Sequence, residues 1–165
     1  MIEMYAGDPL QAVAHCLAFP ISADRHTLRD PLGTSIRRRF PEIVSAVDRP
    51  QLGRTIFCDG SPRLPYYLAA MTIRPGWSKI ASETSIIAAI QSLRTGVVDR
   101  GCISVVIAPL LTVKNDPMTE SRVVEIVREA FSKLPAVRVK ICCQPVSPDT
   151  IRRQFRSMRV KTRQH

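Results

Sequence analysis

A three-layer α/β/α domain is the fold class that the sequence predicts, and two observations carry it. The second half of the chain alternates strand-like with helix-like runs, and the run "CISVVIAP" (residues 102–109) is almost continuously apolar instead of alternating. A strand that is apolar towards both sides belongs in a sheet covered on both faces.

The elements follow in order. A short strand spans Ile2 to Tyr5 and is followed by Gly7 and Asp8. "AVAHCLAF" reads as a central strand, and the polar stretch from Pro20 to Pro31 as irregular. Ile36, Phe40, Ile43, Val44 and Val47 recur at helical spacing, with Arg37, Arg38 and Arg39 facing outward and Pro41 starting or kinking a turn. "RTIFCD" and "LPYYLAAMTI" are two strands joined by the turn signal "GSPR". The loop "RPGWSK" leads to a helix from about Ala81 to Arg94, with Ile86, Ile87, Ile90 and Leu93 on one face. After "CISVVIAP", a loop without glycine, "LLTVKND", leads to a helix carrying Val123, Val124, Val127, Phe131 and Leu134, capped by Asp116 or Thr119. "AVRVKICC" is the last strand.

Past it, Ser147 as N-cap, Pro148 and Asp149 open a further helix. Ile151, Phe155 and Met158 fall on one side of that helix, and Arg152, Arg153, Arg156 and Arg159 on the other. The predicted organisation is one domain over residues 1–146 with a basic helix and tail over 147–165.

Composition narrows the function classes. At 165 residues the chain can bury one substantial core without disulfides or metal. Its five cysteines lie mostly within apolar runs and show no C-x-x-C spacing, which favours a reducing intracellular compartment and disfavours zinc. No stretch reaches the apolar length of a membrane span, and the start "MIEMYAGDPL" has neither the basic region of a signal peptide nor a transit-peptide pattern. Net charge is +10, from 24 Lys and Arg against 14 Asp and Glu. Arg152, Arg153, Arg156, Arg159, Lys161 and Arg163 supply six of those bases in a segment without one acid, leaving 18 bases against 14 acids elsewhere. A basic tail on a mildly basic domain is suited to phosphate contact, so RNA or another polyanion is the expected partner, with a large assembly as its setting and no membrane.

The chemistry motifs are sparse. His15 and Cys16 are adjacent and point to opposite faces of a strand, so they cannot act as nucleophile and base. His26 and His165 lack ligand spacing, and no phosphate-loop, dinucleotide or zinc-protease pattern occurs. Trp77 is either a base-stacking platform or a lone aromatic closing a loop over the core.

Several short strings, with the order of elements, resemble the macro domain, the ADP-ribose-binding module, and within it the terminal ADP-ribose protein glycohydrolase branch. They are "GD" after the first strand, "AHC", "IRRRFPEI", "DG…YYL", the helix before "SVVIAP", the spacing of Pro109, Asp116 and Val123, and "VRVKI". The resemblance covers about Ile2 to Cys143 and implies a mixed central sheet. It implies ADP-ribose as ligand, with no cofactor. Asp8 matches the family's adenine reader, and its other reading is a turn aspartate. Asp116 matches an aspartate that assists cleavage of the ADP-ribosyl bond, and its other reading is a helix cap. Gly33 is the one glycine left in the first ligand loop, "LRDPLGTS", where Pro31 removes an amide. Leu111, Thr112 and Val113 stand in the second ligand loop, which is normally glycine-rich. Ala18 corresponds to the Asn or Ser that the family carries after its second strand. The branch's lysine nucleophile should follow "YYL", where the chain offers only the displaced Lys79.

Side chains in place of glycine crowd the phosphate positions, and without the lysine a covalent route loses its attacking group. The expectation is therefore a divergent macro-type domain without hydrolase activity that serves as an RNA-binding or assembly module. The alternative is a working ADP-ribose binder or ADP-ribosyl glycohydrolase using Asp8 and Asp116. A purely structural protein–protein subunit is the third reading.

Overall fold

The computed structural model describes residues 1–24, 28–111 and 118–143. Its strands are β1 (Ile2–Tyr5), β2 (Cys16–Ser22), β3 (Thr55–Asp59), β4 (Tyr67–Arg74), β5 (Ser104–Ile107) and β6 (Arg138–Cys142). They form one sheet in the order β1-β6-β5-β2-β4-β3. All neighbours are parallel except β3 and β4, so the sheet is mixed, with its antiparallel strand at one edge. The helices are α1 (Pro31–Arg39), α2 (Ile43–Ala46), α3 (Glu83–Asp99) and α4 (Glu120–Phe131).

The period-2 alternation of the central strands divides the core into two. Cys16, Ala18, Ala69, Met71, Ile73, Val105 and Ile107 face α3 and α4. Leu17, Phe19, Ile21, Leu68, Ala70 and Val106 face α1 and α2. Both sets are buried, which is why β4 and β5 read as continuous apolar runs, and the architecture is the three-layer α/β/α sandwich expected. The basic C-terminal helix predicted over residues 147–165 lies outside the described residues.

Three boundaries differ from the sequence expectation. β2 runs through Pro20 to Ser22, where irregular structure was expected. Its pairing with β5 ends at Ala18, opposite Ile107, so no strand is left on that side to receive the amide that Pro20 lacks. α1 begins at Pro31 instead of near Ile36, because Asp30 caps it with its carboxylate on the Gly33 amide, 2.9 Å. α3 continues to Asp99 through "TGVV", residues of weak helix propensity. There Gly96 lets α3 lie against Phe57 of β3, and Gly101, at φ 63, follows the Arg100 C-cap. Among the described residues no helix is long and apolar enough to cross a membrane.

Gly96→Ala tests this packing. In an exposed helix the change gains up to about 1 kcal/mol. Here the new methyl overlaps the Phe57 ring, and overpacking of this kind costs ~1–3 kcal/mol. Urea unfolding is expected to show a net loss of stability, and a gain would contradict the packing.

Candidate functional site

The direction in which the chain adds strands reverses between β2 and β5. From β2 it proceeds to β3 and β4 on one side, then crosses back to β5 and β6 on the other. Ligands of parallel sheets sit at such a point, beyond the carboxyl ends of the strands. Here those ends are Tyr5, Cys142, Ile107, Ser22 and Arg74.

Arg74 is the charged residue at the crossing, and it is only 4% exposed. From the end of β4 its Nη2 donates to the carbonyl of Leu110, in the segment after β5, at 2.6 Å. Its own carbonyl accepts from Ala23 N, 2.8 Å, and its register partner is Ser22 at the end of β2. One side chain thereby ties β4 to the segment after β5, across the end of β2. Asp24 makes the second tie, accepting from Ser22 Oγ at 2.8 Å and from the Trp77 amide at 3.0 Å. It fastens the loop after β2 to the loop after β4.

At the far side of the sheet, Asp8 is exposed just beyond β1. Its Oδ1 accepts from Leu10 N, 2.9 Å, and caps the 3-10 turn Pro9–Gln11. Its charge reaches Cys142 at the end of β6, whose thiol is pushed up to about 11 by burial first, then by Cys143 and Asp8. From the end of β1 to that of β2 is three strand spacings, roughly 14 Å. An extended dinucleotide-sized ligand matches that span. Among the described residues, Met4, Leu110, Leu111, Val123 and Cys143 border one small depression near the ends of β1, β6 and β5, of about 20 Å³. That is room for about one water.

The other predicted residues fall as follows. Ala18 lies in the middle of β2, not in a loop after it, and is 0% exposed, with its methyl in the core beneath α3 and α4. Gly33 is inside the first turn of α1, and its amide is held by Asp30. A Cβ there would stand 2.5 Å from both Asp30 Oδ1 and Leu28 Cα, so this glycine serves the close approach of the Leu28–Asp30 backbone. Leu28 itself is buried at φ 66, a strained conformation for a bulky side chain. Leu111 is half-buried against the core. Thr112, Val113 and Asp116 lie outside the described residues, as do Arg152, Arg153, Arg156, Arg159, Lys161 and Arg163.

One expectation for the loop after β5 is settled. Thr119, not Asp116, is the N-cap of α4, accepting from Arg122 N at 3.2 Å through Oγ1. A threonine one residue before Glu120 satisfies the orphan amide directly, so α4 does not need the earlier aspartate. Lys79 is exposed in the loop beyond Trp77, five residues past the end of β4. His15 sits at the opposite end of the sheet, where its Nδ1 accepts from Ile103 N at 3.4 Å and its ring lies 5.1 Å from that of Tyr66. Sequence reasoning missed Arg74 and Asp24. The signal was an arginine ending the apolar run "LAAMTI", because a charge at the end of a buried strand is retained for what it contacts.

No protein-family model and no curated protein matches the chain. Solved structures do. The macrodomain of Thermus aquaticus DarG superposes with a TM-score of 0.77 at 19% identity, covering 87% of this chain and 98% of that one. The macrodomain of Mycobacterium tuberculosis DarG superposes with 0.78 at 23% identity, over 89% and 99%. The chain has the macrodomain fold. Thermosipho africanus DarTG, solved in complex with ADP-ribose, matches with a TM-score of 0.72 at 12% identity, over 90% of this chain and 43% of that one. Within this macrodomain fold, Asp8 lies just beyond β1 on one side of the carboxyl ends, and Arg74 and Asp24 lie at the ends of β4 and β2 on the other.

Two thiols, Cys142 at the strand ends and Cys58 in the edge strand β3, make one prediction. Burial, then Asp59 and Glu42, push Cys58 up to about 11, as burial does Cys142, while thiols of the unfolded chain ionise near ~8.5. Stability is then fully present below about pH 8.5 and is lost as pH rises towards 11, since the unfolded state releases protons first. Thermal melts between pH 7 and 10.5 check this, and a flat profile above pH 9 would contradict it. For the cap, Thr119→Ala is expected to cost ~1 kcal/mol and Thr119→Ser almost nothing, read from urea midpoints.

Proposed function

We propose that this macrodomain-fold chain binds ADP-ribose in the crevice at the carboxyl ends of its parallel strands, without turning it over. The observation that carries the proposal is the exposed carboxylate of Asp8 just beyond β1, a strand whose end lies three spacings, roughly 14 Å, from that of β2. An adenine amino group donates to a carboxylate, and the diphosphate and distal ribose then extend towards Arg74. The fold is shared with proteins solved with ADP-ribose, DarTG of Thermosipho africanus and a Trypanosoma brucei macrodomain. Thr119 caps α4, so the helix does not call on Asp116, which lies outside the described residues.

Binding without hydrolysis is favoured by the end of β4. A nucleophilic lysine is expected there, and the chain has instead a guanidinium held by the Leu110 carbonyl, with Lys79 out in solvent. Arginine stays protonated and does not attack carbon. Nucleic-acid binding is the second reading, favoured by the three exposed arginines of α1 and the acid-free run from Thr150 to His165.

Titration calorimetry with ADP-ribose is expected to give micromolar binding. Asp8→Asn keeps an acceptor for the turn but removes the charge, and is expected to weaken binding at least about tenfold, in line with ~1.5–3 kcal/mol for a charged hydrogen bond. Release of ADP-ribose from a modified acceptor is expected to stay at background. Absence of binding, or binding indifferent to Asp8→Asn, would sink the proposal.

A further inference from the structure

A second recess lies on the α1–α2 side of the molecule. It measures about 530 Å³ and is walled by Asp24, Arg29, Arg37, Asp48 and Arg49 over a floor that includes Val44 and Val47. All three arginines are exposed, and among the described residues none of them forms an ion pair. Asp24 is already engaged by Ser22 Oγ and the Trp77 amide, so its carboxylate offers little to the arginines. The recess is thus cationic on balance, with an apolar floor to which Val44 contributes a half-exposed side chain.

Trp77 stands at its border. Asp24, a wall of the recess, holds the Trp77 amide at 3.0 Å, and Gly76 packs against the same carboxylate. The indole is 65% exposed, so it does not close the loop over the core as one sequence reading had it. An unburied indole on a loop anchored to a wall of the recess, together with guanidinium groups that form no ion pair among the described residues, supplies a stacking face and phosphate-binding charge. Single strands are held in that way, by a positive groove that follows the backbone and an aromatic on which a base lies. A duplex keeps its base faces stacked inside and cannot use the indole. An acidic peptide would match the charge but leave the indole without a partner.

We infer that this recess and Trp77 form a binding surface for single-stranded nucleic acid, with phosphates on Arg29, Arg37 and Arg49 and a base on the indole. The inference takes its ligand class from the second reading above but none of its residues from the tail, and it does not depend on ADP-ribose binding. Asp24 joins this surface to the crevice at the strand ends, so a strand lying here passes the mouth of that site.

Trp77 is the single tryptophan of the chain, which makes its fluorescence a local reporter. The full-length protein is titrated with ten-nucleotide oligo-U and oligo-dT, and with inorganic polyphosphate as a charge control. Quenching by an oligonucleotide and not by polyphosphate is expected, and the stronger of the two oligonucleotides tells RNA from DNA. Anisotropy of a labelled oligonucleotide then reads affinity. The triple variant Arg29→Gln, Arg37→Gln, Arg49→Gln should reduce affinity at least tenfold and lower the slope of log K against log salt by about 2, roughly 0.7 for each phosphate contact on a single strand. Trp77→Ala should cost at least about fivefold. Neutralising the tail (Arg152, Arg153, Arg156 and Arg159 to Gln) should weaken binding but leave the quenching, and Asp8→Asn should leave both. Oligonucleotide binding without quenching, or with the triple variant's affinity and salt slope unchanged, would overturn the inference and assign binding to the tail alone. No oligonucleotide binding at all would overturn both.

Discussion

Burial of β2, β4 and β5 on both faces is the constraint from which the rest of the molecule follows. Leu17, Leu68, Ala69, Met71, Val105 and Ile107 have almost no exposed surface, and they point alternately to opposite sides of the sheet. Neither face can be left to water, because each fully buried aliphatic side chain contributes ~1.5–3 kcal/mol. Helices are therefore required on both sides, and the parallel connections supply them. With both faces occupied, backbone groups and polar side chains are free only at the strand ends. The chemistry of the chain is confined to those ends by its hydrophobic core.

At the carboxyl ends, macrodomain geometry without glycine-rich loops needs another means of holding the loops in place. Here side-chain hydrogen bonds hold them. Arg74 joins β4 to the segment after β5, and Asp24 joins the loop after β2 to the loop after β4. A buried guanidinium is costly to desolvate, and hydrogen bonds to carbonyl groups offset that cost only when the geometry is fixed. Such a site is stiffer than a glycine loop and less able to wrap a phosphate.

The fold was readable because burial writes itself into composition: continuous apolar runs for β4 and β5, and a 3.6-residue period for α3 and α4. What the sequence hid has a physical pattern too. β2 extends through Pro20 because its neighbour β5 stops at Ile107, a fact about a strand distant in sequence. Gly33 reads from the sequence as a ligand glycine, and the close approach of the Leu28 to Asp30 backbone to it is visible only in the fold. Aspartate and threonine both cap helices, so "DPMT" alone did not say that Thr119 does it. Arg74 was hidden for the opposite reason. Its neighbours in sequence are ordinary, and only the sheet order brings it to the crossing between β2 and β5.

Arg74 and the arginines of the α1–α2 recess carry the same charge in two different dielectric settings. At 4% exposure Arg74 interacts strongly with whatever dipole lies near it, and salt does little to weaken that interaction. Arg29, Arg37 and Arg49 are in water, where a single ion pair is worth at most about 1 kcal/mol and is screened over roughly 10 Å at 0.1 M salt. One buried arginine can therefore orient one ligand group, whereas the exposed three act only together, on a ligand that presents several charges at once. A nucleotide diphosphate suits the first setting and a polymeric phosphate backbone the second. Asp24 borders the recess and holds the Trp77 loop, which follows the strand that ends in Arg74. The charge of the described residues is thus divided between a fixed, buried cation at the strand ends and exposed cations on the α1–α2 side.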